Sequence, residues 1–388
     1  MDRPIGGFRH QRFPFETLNL RMQVRSFLAE TLKDRSPLRR ADSWMGADPA
    51  FSRELGRRGW VGMTLPKRYG GQDASPWERY VVAEELLAAG APVAAHWFAD
   101  RQSGPLILRY GTETQRERYL PGICRGEIYF CIGMSEPNSG SDLASIRSRA
   151  VRDGDGWVLN GQKVWTTNAH IAHYMIGLFR TGDGANYQAH PRHAGLSQFL
   201  IDLKSPGVTI RPIVDLTGGR HFNEVYFDNV RLGPDALLGT EGKGWEQVTA
   251  ELAFERSGPE RFLSSIALLH TLIDAVGRRP DALQAREIGR LVARLNGLRQ
   301  MSLAVTAELA AGKDPAWEAS CVKDLGAVFE QELPEIAQAI FDEAPAIGGG
   351  SDHAQVLAAL MQMAPSFSLR GGTREILRGI IARGLGLR

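Results

Sequence analysis

The chain has 388 residues, 43% of them hydrophobic, so it can bury large cores, and its length suggests two or three domains. Lys and Arg number 46 against 44 Asp and Glu, a balance of +2 that removes the electrostatic case for nucleic acid or an anionic membrane as partner. Cys124, Cys131 and Cys321 are odd in number and lack metal-ligand spacing, the N-terminus has no apolar signal core, and no apolar run is long enough to cross a bilayer, so the expectation is a cytoplasmic protein with neither a disulfide scaffold nor a cysteine metal site.

From about Glu16 to Asp34 the residues Leu18, Met22, Phe27, Leu28 and Leu32 recur at roughly helical spacing. A second helix is expected at Asp48-Pro49, an N-cap with Pro in the first turn. Ser75-Pro76-Trp77-Glu78 reads as a capping box that starts the apolar segment Tyr80–Ala89, and Thr112-Glu113-Thr114-Gln115 repeats the logic. No alternation of period two precedes Leu120, so the first domain is expected to be helical. Near Glu127 the character changes. Short apolar runs follow one another with turn residues between them: Tyr129–Met134, Trp157–Leu159, Val164–Thr166, Tyr174–Phe179, Ser197–Ile201, Val208–Ile213 and Glu224–Val230. That spacing predicts a β-barrel or sandwich, with Thr181–His193 as a polar loop. After Gly239 helices return: Trp245, Val248 and Leu252 set the first, then Phe262–Val276, Ala285–Ala310 and Cys321–Phe341 suggest a bundle. The expected fold class is α+β and multidomain, with an N-terminal helical domain (1–126), a middle β-barrel domain (127–238) and a C-terminal helix bundle (239–388).

Two stretches of the middle region carry chemistry. After the apolar run Phe130–Met134 comes Ser135-Glu136-Pro137-Asn138-Ser139-Gly140-Ser141-Asp142, whose hydroxyls and small side chains let phosphates or heterocycle edges approach closely. Farther on, Val158-Leu159-Asn160-Gly161-Gln162-Lys163-Val164-Trp165-Thr166-Thr167 reads as two short strands around an Asn-Gly hairpin, the second placing an indole beside threonine hydroxyls.

These two stretches, in this order, resemble the middle domain of acyl-CoA dehydrogenases. The likeness continues through Leu65-Pro66-Lys67-Arg68-Tyr69-Gly70-Gly71, Tyr110-Gly111-Thr112-Glu113, Phe254-Glu255-Arg256 and Gly371-Gly372-Thr373-Arg374-Glu375, so it spans nearly the whole chain. The resemblance implies bound FAD and α,β-dehydrogenation of an acyl-CoA thioester, with electrons passed to electron-transferring flavoprotein. It assigns Met134 and Ser135 to the pyrimidine edge of the flavin, Trp165 to the ring and Thr167 to its N5. Gly140 and Ser141 would lie by the pyrophosphate or the acyl-CoA, and Thr373 and Glu375 would belong to the last flavin-contact segment.

Many members place the catalytic carboxylate immediately before the C-terminal Gly-Thr. Here that position is Gly371, which cannot act as a base but keeps an N–H to polarise the thioester carbonyl. A subset of the family uses the residue before an Arg on the first helix of the last domain. By that match Glu255 is the base and Arg256 a substrate anchor, with Glu251 and Glu260 as nearby competitors. Pro259 lacks the N–H that would bond the carbonyl of residue 255, so the helix is expected to loosen there.

The family's Arg-x-x-Phe-Gly segment is missing from Gly277–Gln284, and Pro345 replaces the Gln that precedes the Gly-Gly, here Gly348-Gly349. The far end of the flavin is therefore poorly provided for, which points to a homo- or hetero-oligomer, dimer or tetramer, in which a paralogous subunit supplies contacts. Alternatives are a flavin monooxygenase or oxidase on the same fold, or a non-catalytic subunit.

Overall fold

The computed structural model describes residues 8–181 and 193–387; the side chains of 250–255 lie outside the description. Among the described residues thirteen α-helices run α1 Thr17–Thr31, α2 Pro37–Ala41, α3 Pro49–Arg57, α4 Pro76–Ala88, α5 Ala94–Phe98, α6 Gly104–Tyr110, α7 Glu113–Cys124, α8 Gly244–Glu255, α9 Ile266–Val276, α10 Ala282–Ala310, α11 Ala316–Ile340, α12 Asp352–Met363 and α13 Arg374–Gly384. Among the described residues eight strands lie between α7 and α8: β1 Phe130–Gly133, β2 Arg149–Asp153, β3 Gly156–Lys163, β4 Tyr174–Arg180, β5 Leu196–Asp202, β6 Val208–Ile213, β7 Phe222–Leu232 and β8 Leu237–Leu238. The chain forms two compact units, one of residues Ala47–Ala74 and Ala94–Leu252, the other of Met1–Gly46, Ser75–Val93 and Ala253–Arg388.

The first, the sheet unit, holds one sheet in the order β6-β7-β3-β2-β4-β5-β8, with β1 parallel to β4. The strand β4, Tyr-Met-Ile-Gly-Leu-Phe-Arg, is buried along almost its whole length, as a strand covered on both faces requires. Ile176 points into a core with Leu106, Ile107, Leu120 and Ile123 of α6 and α7, while Met175 and Phe179 point into an opposite core with Trp157, Phe199 and Phe227. The Phe179 ring meets Phe227 at 5.1 Å and Trp157 meets Phe199 at 5.1 Å, both edge-on, as ring quadrupoles favour.

The sequence signals for helix starts hold. Asp48 caps α3, and Ser75 with Glu78, and Thr112 with Gln115, close reciprocal capping boxes on α4 and α7. The Asn-Gly hairpin does not. β3 runs unbroken through Asn160-Gly161, and the turn lies earlier, where β2 and β3 pair Asp153 with Gly156. Asn160-Gly161 is instead a bulge against β7, Gly161 taking φ +145° where a Cβ would overlap the Ser148 side chain at 2.2 Å. The expected polar loop Thr181–His193 falls almost wholly outside the described residues.

In the second, the bundle unit, α4 carries two buried carboxylates that tie it to its neighbours. Glu84 accepts from Arg21 of α1 (2.9 Å) and from Arg299 of α10 (2.6 and 3.0 Å), and Glu85 accepts from Arg21 and from Arg25 (2.7 Å). On α1 the buried face is Val24, Phe27 and Leu28, whereas Leu18 and Met22, which the periodicity placed toward the core, are exposed. No helix among the described residues is long and apolar enough to cross a membrane.

Candidate active site

The sheet unit brings the two chemical stretches side by side. β1 stops at Gly133, and the chain beyond it is held against the end of β3 by a hydrogen bond from the Val164 N–H to the Ser135 carbonyl (2.9 Å). Beneath this crossing lies a buried ion pair. Lys163 has no exposed surface; its Nζ donates to Glu136 Oε1 (2.8 Å) and to the Met134 carbonyl (3.2 Å) and lies 5.0 Å from the Phe179 ring centroid. Glu136 also accepts the N–H groups of Arg147 (2.6 Å) and Ser148 (2.9 Å). Burial lowers the Lys163 ammonium to about 8 even though Glu136 opposes the shift. Burial by itself would raise the Glu136 carboxyl, but Lys163 and the two backbone N–H groups outweigh it and hold the group below the ordinary carboxylate range. The loop is pinned a second time by Arg180, whose guanidinium donates to the carbonyls of Ala144 (2.7 Å), Ile146 (3.3 Å) and Ala194 (3.0 Å). Between these anchors Gly140 and Ser141 ride on an exposed tip, with nothing within 4 Å of a Cβ built on Gly140.

Beyond Lys163 the chain leaves the sheet through two left-handed residues, Trp165 and Asn168, both at φ +58°. That conformation is costly for a non-glycine residue and is retained where the surroundings fix it. Here Asn223 fixes it: its carbonyl accepts the Thr166 N–H and its Nδ2 donates to the Thr166 carbonyl, each at 3.0 Å. The result is an indole that is 59% exposed and braced edge-on by Phe222 at 6.0 Å. The same stretch of chain carries polar atoms that lack partners among the described residues. Thr166 Oγ1 and Asn168 Nδ2 are buried and have no partner among the described residues, and the half-buried hydroxyls of Ser135 and Thr167 bond none of them either. Buried polar atoms are ordinarily paired, so orphans within three residues of an exposed aromatic plane fit a flat ring with hydrogen-bonding edges.

The other expected residues belong to the bundle unit. α8 ends at Glu255, and the chain enters a 3-10 turn, Pro259–Arg261, in keeping with the missing Pro259 N–H. The side chain of Glu255, like that of Glu251, is outside the described residues. Its neighbour Arg256 is buried, and its Nε donates to the Gly371 carbonyl at 3.1 Å, so the end of α8 adjoins the Gly371-Gly372 turn. Both glycines are left-handed, at φ +67° and +99°. The space that a side chain at 371 would enter is not open. A Cβ there would lie 3.1–3.3 Å from the guanidinium of the buried Arg261. The Gly371 N–H has no hydrogen-bond partner among the described residues.

Next door, Arg370 donates to Ser264 Oγ (2.7 Å) and Glu330 (3.2 Å) and lies over Trp44 and Phe367; burial draws its guanidinium down to about 10 against the pull of Glu330. Glu260, one of the competing carboxylates, is buried in the 3-10 turn. Thr373 is the N-cap of α13, and Glu375 sits in its first turn, held below the usual carboxylate range first by its own backbone N–H and then by the Thr373 hydroxyl. Lys163, Glu136, Arg180 and Arg261 had no role assigned from the sequence, and no local signal announces them.

Family models match the chain in three consecutive blocks. The acyl-CoA dehydrogenase N-terminal domain model matches residues 15–127, the middle domain model 131–230 and the C-terminal domain model 242–386. Acyl-CoA dehydrogenase IpdE1 of Mycobacterium tuberculosis is 35% identical over 381 residues, covering 95% of this chain and 97% of that protein. Among solved structures, the Tcur3481-Tcur3483 steroid ACAD superposes with a TM-score of 0.85 at 28% identity over 97% of this chain and 99% of that one. The ChsE4-ChsE5 complex from Mycobacterium tuberculosis gives 0.82 at 27% identity over 98% of this chain and 100% of that one. With matching domains in matching order along nearly its whole length, and a helical and β architecture shared with solved members, the chain belongs to the acyl-CoA dehydrogenase family.

Proposed function

We propose that the chain, with FAD, converts an acyl-CoA thioester to its trans-2-enoyl-CoA, Glu255 taking the α proton. The observation that carries this reading is the Gly371 turn. Position 371 has no carboxylate and is tightly packed against Arg261, while Arg256 bonds its carbonyl and so keeps the end of α8, where Glu255 stands, beside it. FAD, when bound, supplies an acceptor at N5 for the β hydrogen as hydride. Ser135 and the backbone at Met134 hold the pyrimidine edge, Trp165 packs on the ring, and Thr167 donates its hydroxyl at N5. Gly140 and Ser141 face the pyrophosphate or the bound thioester, and Thr373 and Glu375 complete the flavin contacts. The unengaged Gly371 N–H donates to the thioester oxygen as negative charge gathers there, and Arg256 anchors the substrate side of the turn.

The electrons pass to electron-transferring flavoprotein. The companion for the far end of the flavin is a paralogous subunit. Pro345 and the absent Arg-x-x-Phe-Gly segment motivate that reading, and the paired names of the two solved neighbours support it. A polycyclic or similarly bulky acyl group is the preferred substrate class, in line with the steroid ACAD neighbour.

The deciding experiment is Glu255→Gln. Anaerobic acyl-CoA should bleach the flavin of the wild type, and the variant, with its flavin retained, should bleach at least ~10²-fold more slowly. Bleaching at the wild-type rate removes Glu255 as base. Flavin content of the chain purified alone and with its companion tests the assembly.

A further inference from the structure

We infer that Lys163 is a positioning residue for the flavin: its ammonium, seated on the Met134 carbonyl, makes the Ser135 N–H a stronger donor toward the pyrimidine edge. The inference rests on the flavin reading above and deepens it.

The C=O of Met134 and the N–H of Ser135 belong to one peptide group. A cation hydrogen-bonded to the oxygen draws electron density through that amide and leaves the nitrogen a better donor, as hydrogen bonds in series polarise one another. Lys163 Nζ makes that contact at 3.2 Å, and because its side chain has no exposed surface, no solvent screens the charge. The orientation is fixed twice over. Glu136 holds the ammonium at 2.8 Å and is itself held by the N–H groups of Arg147 and Ser148, while the next residue, Val164, bonds the Ser135 carbonyl. The Ser135 N–H, by contrast, has no acceptor among the described residues. A polarised donor without an acceptor, on the same residue as an unengaged hydroxyl and one hydrogen bond away from Val164, the neighbour of the exposed Trp165, is arranged for a ligand and not for the fold.

A buried ion pair that merely anchored the loop would affect folding and flavin retention alone. One that polarises the amide also affects the redox balance, because a stronger donor at the pyrimidine edge favours the electron-rich form of the ring. Lys163→Met removes the ammonium. The double variant Lys163→Met/Glu136→Gln removes both charges, leaving no uncompensated carboxylate, and serves where the single variant folds poorly.

The two-electron potential of the bound flavin is titrated in the full-length wild type and in both variants, with the companion subunit where it is needed for loading and with FAD in excess. The expected result is about a tenfold loss of preference for the reduced form in each variant, equal to a fall of about 30 mV for a two-electron couple. Flavin-loaded variants with the wild-type potential overturn the inference and leave the flavin reading standing. A wild type that holds no flavin in any preparation overturns both.

Discussion

The two groups of candidate residues, one in each unit, handle charge in opposite ways. In the sheet unit the atoms facing outward are neutral: the hydroxyls of Ser135 and Thr167 and the indole of Trp165, with the ion pair of Lys163 and Glu136 hidden behind them. In the bundle unit guanidinium groups front the Gly371 turn directly, Arg256 on its carbonyl and Arg261 against its α-carbon. Neutral donors held by concealed charge suit a flat ring that must be gripped without being trapped in one protonation state. Cations placed at a turn suit a partner on which negative charge appears. The difference teaches that one ligand surface can be built from orphaned dipoles and another from clustered charge within a single chain.

The largest expected effect lies in the concealed charge of the sheet unit. Lys163→Met strands Glu136 in the interior and should lower stability by roughly 3–5 kcal/mol, whereas the double variant Lys163→Met/Glu136→Gln should recover most of that loss. Urea midpoints of the three proteins at pH 7 measure it. Equal losses in the single and double variants would break the contrast, because the charge itself would then be irrelevant.

A second test concerns a histidine that the same unit keeps neutral. His96 bonds Ser52 at 2.8 Å, and burial lowers it from 6.5 to about 4, against a small opposing pull from Asp100. Because its folded pKa lies below the unfolded one, the unfolded chain binds the extra proton between those values. The stability it contributes is complete above pH 6.5 and fades as the pH falls toward 4, by roughly 2–3 kcal/mol in all. His96→Asn should flatten that part of the pH profile of the urea midpoint, and an unchanged slope would show that the acid loss arises elsewhere.

The smallest effects separate two glycines. Gly371→Ala introduces a left-handed alanine at φ +67° with its Cβ 3.1 Å from a buried guanidinium, and should cost roughly 1–2 kcal/mol. Gly140→Ala meets open space and should stay within about 0.5 kcal/mol. Thermal midpoints that move equally would show that the Gly371 turn is less constrained than its packing implies.

How much was legible in the sequence follows the range of the interactions involved. Helix starts are written within four residues, so Asp48, Ser75 with Glu78, and Thr112 with Gln115 announce themselves. The Asn160-Gly161 hairpin reading failed because glycine there answers to Ser148, which lies outside any local window. Lys163 looks like an ordinary polar position in a strand until the fold brings Glu136 to it across 27 residues. Arg261 next to Gly371 is beyond reach for the same reason, being more than a hundred positions away. Among the site residues, Ser135 and Trp165 are brought near each other where β1 and β3 end, by the Val164 N–H on the Ser135 carbonyl; the run Val164–Thr166, expected as a strand, lies outside the sheet because the left-handed Trp165 breaks it.

One feature of the bundle unit bears on how the molecule is made. Its first helices leave the ribosome early, with the carboxylate of Glu84 destined for a buried seat, yet Arg299, which closes that seat, is 215 residues downstream. Contacts so distant in sequence form late, because the loop they close must be ordered first. The nascent helices α1 and α4 can pair with each other early, but the seat on α10 stays open while Ala94–Leu252, the larger part of the sheet unit, is synthesised in between.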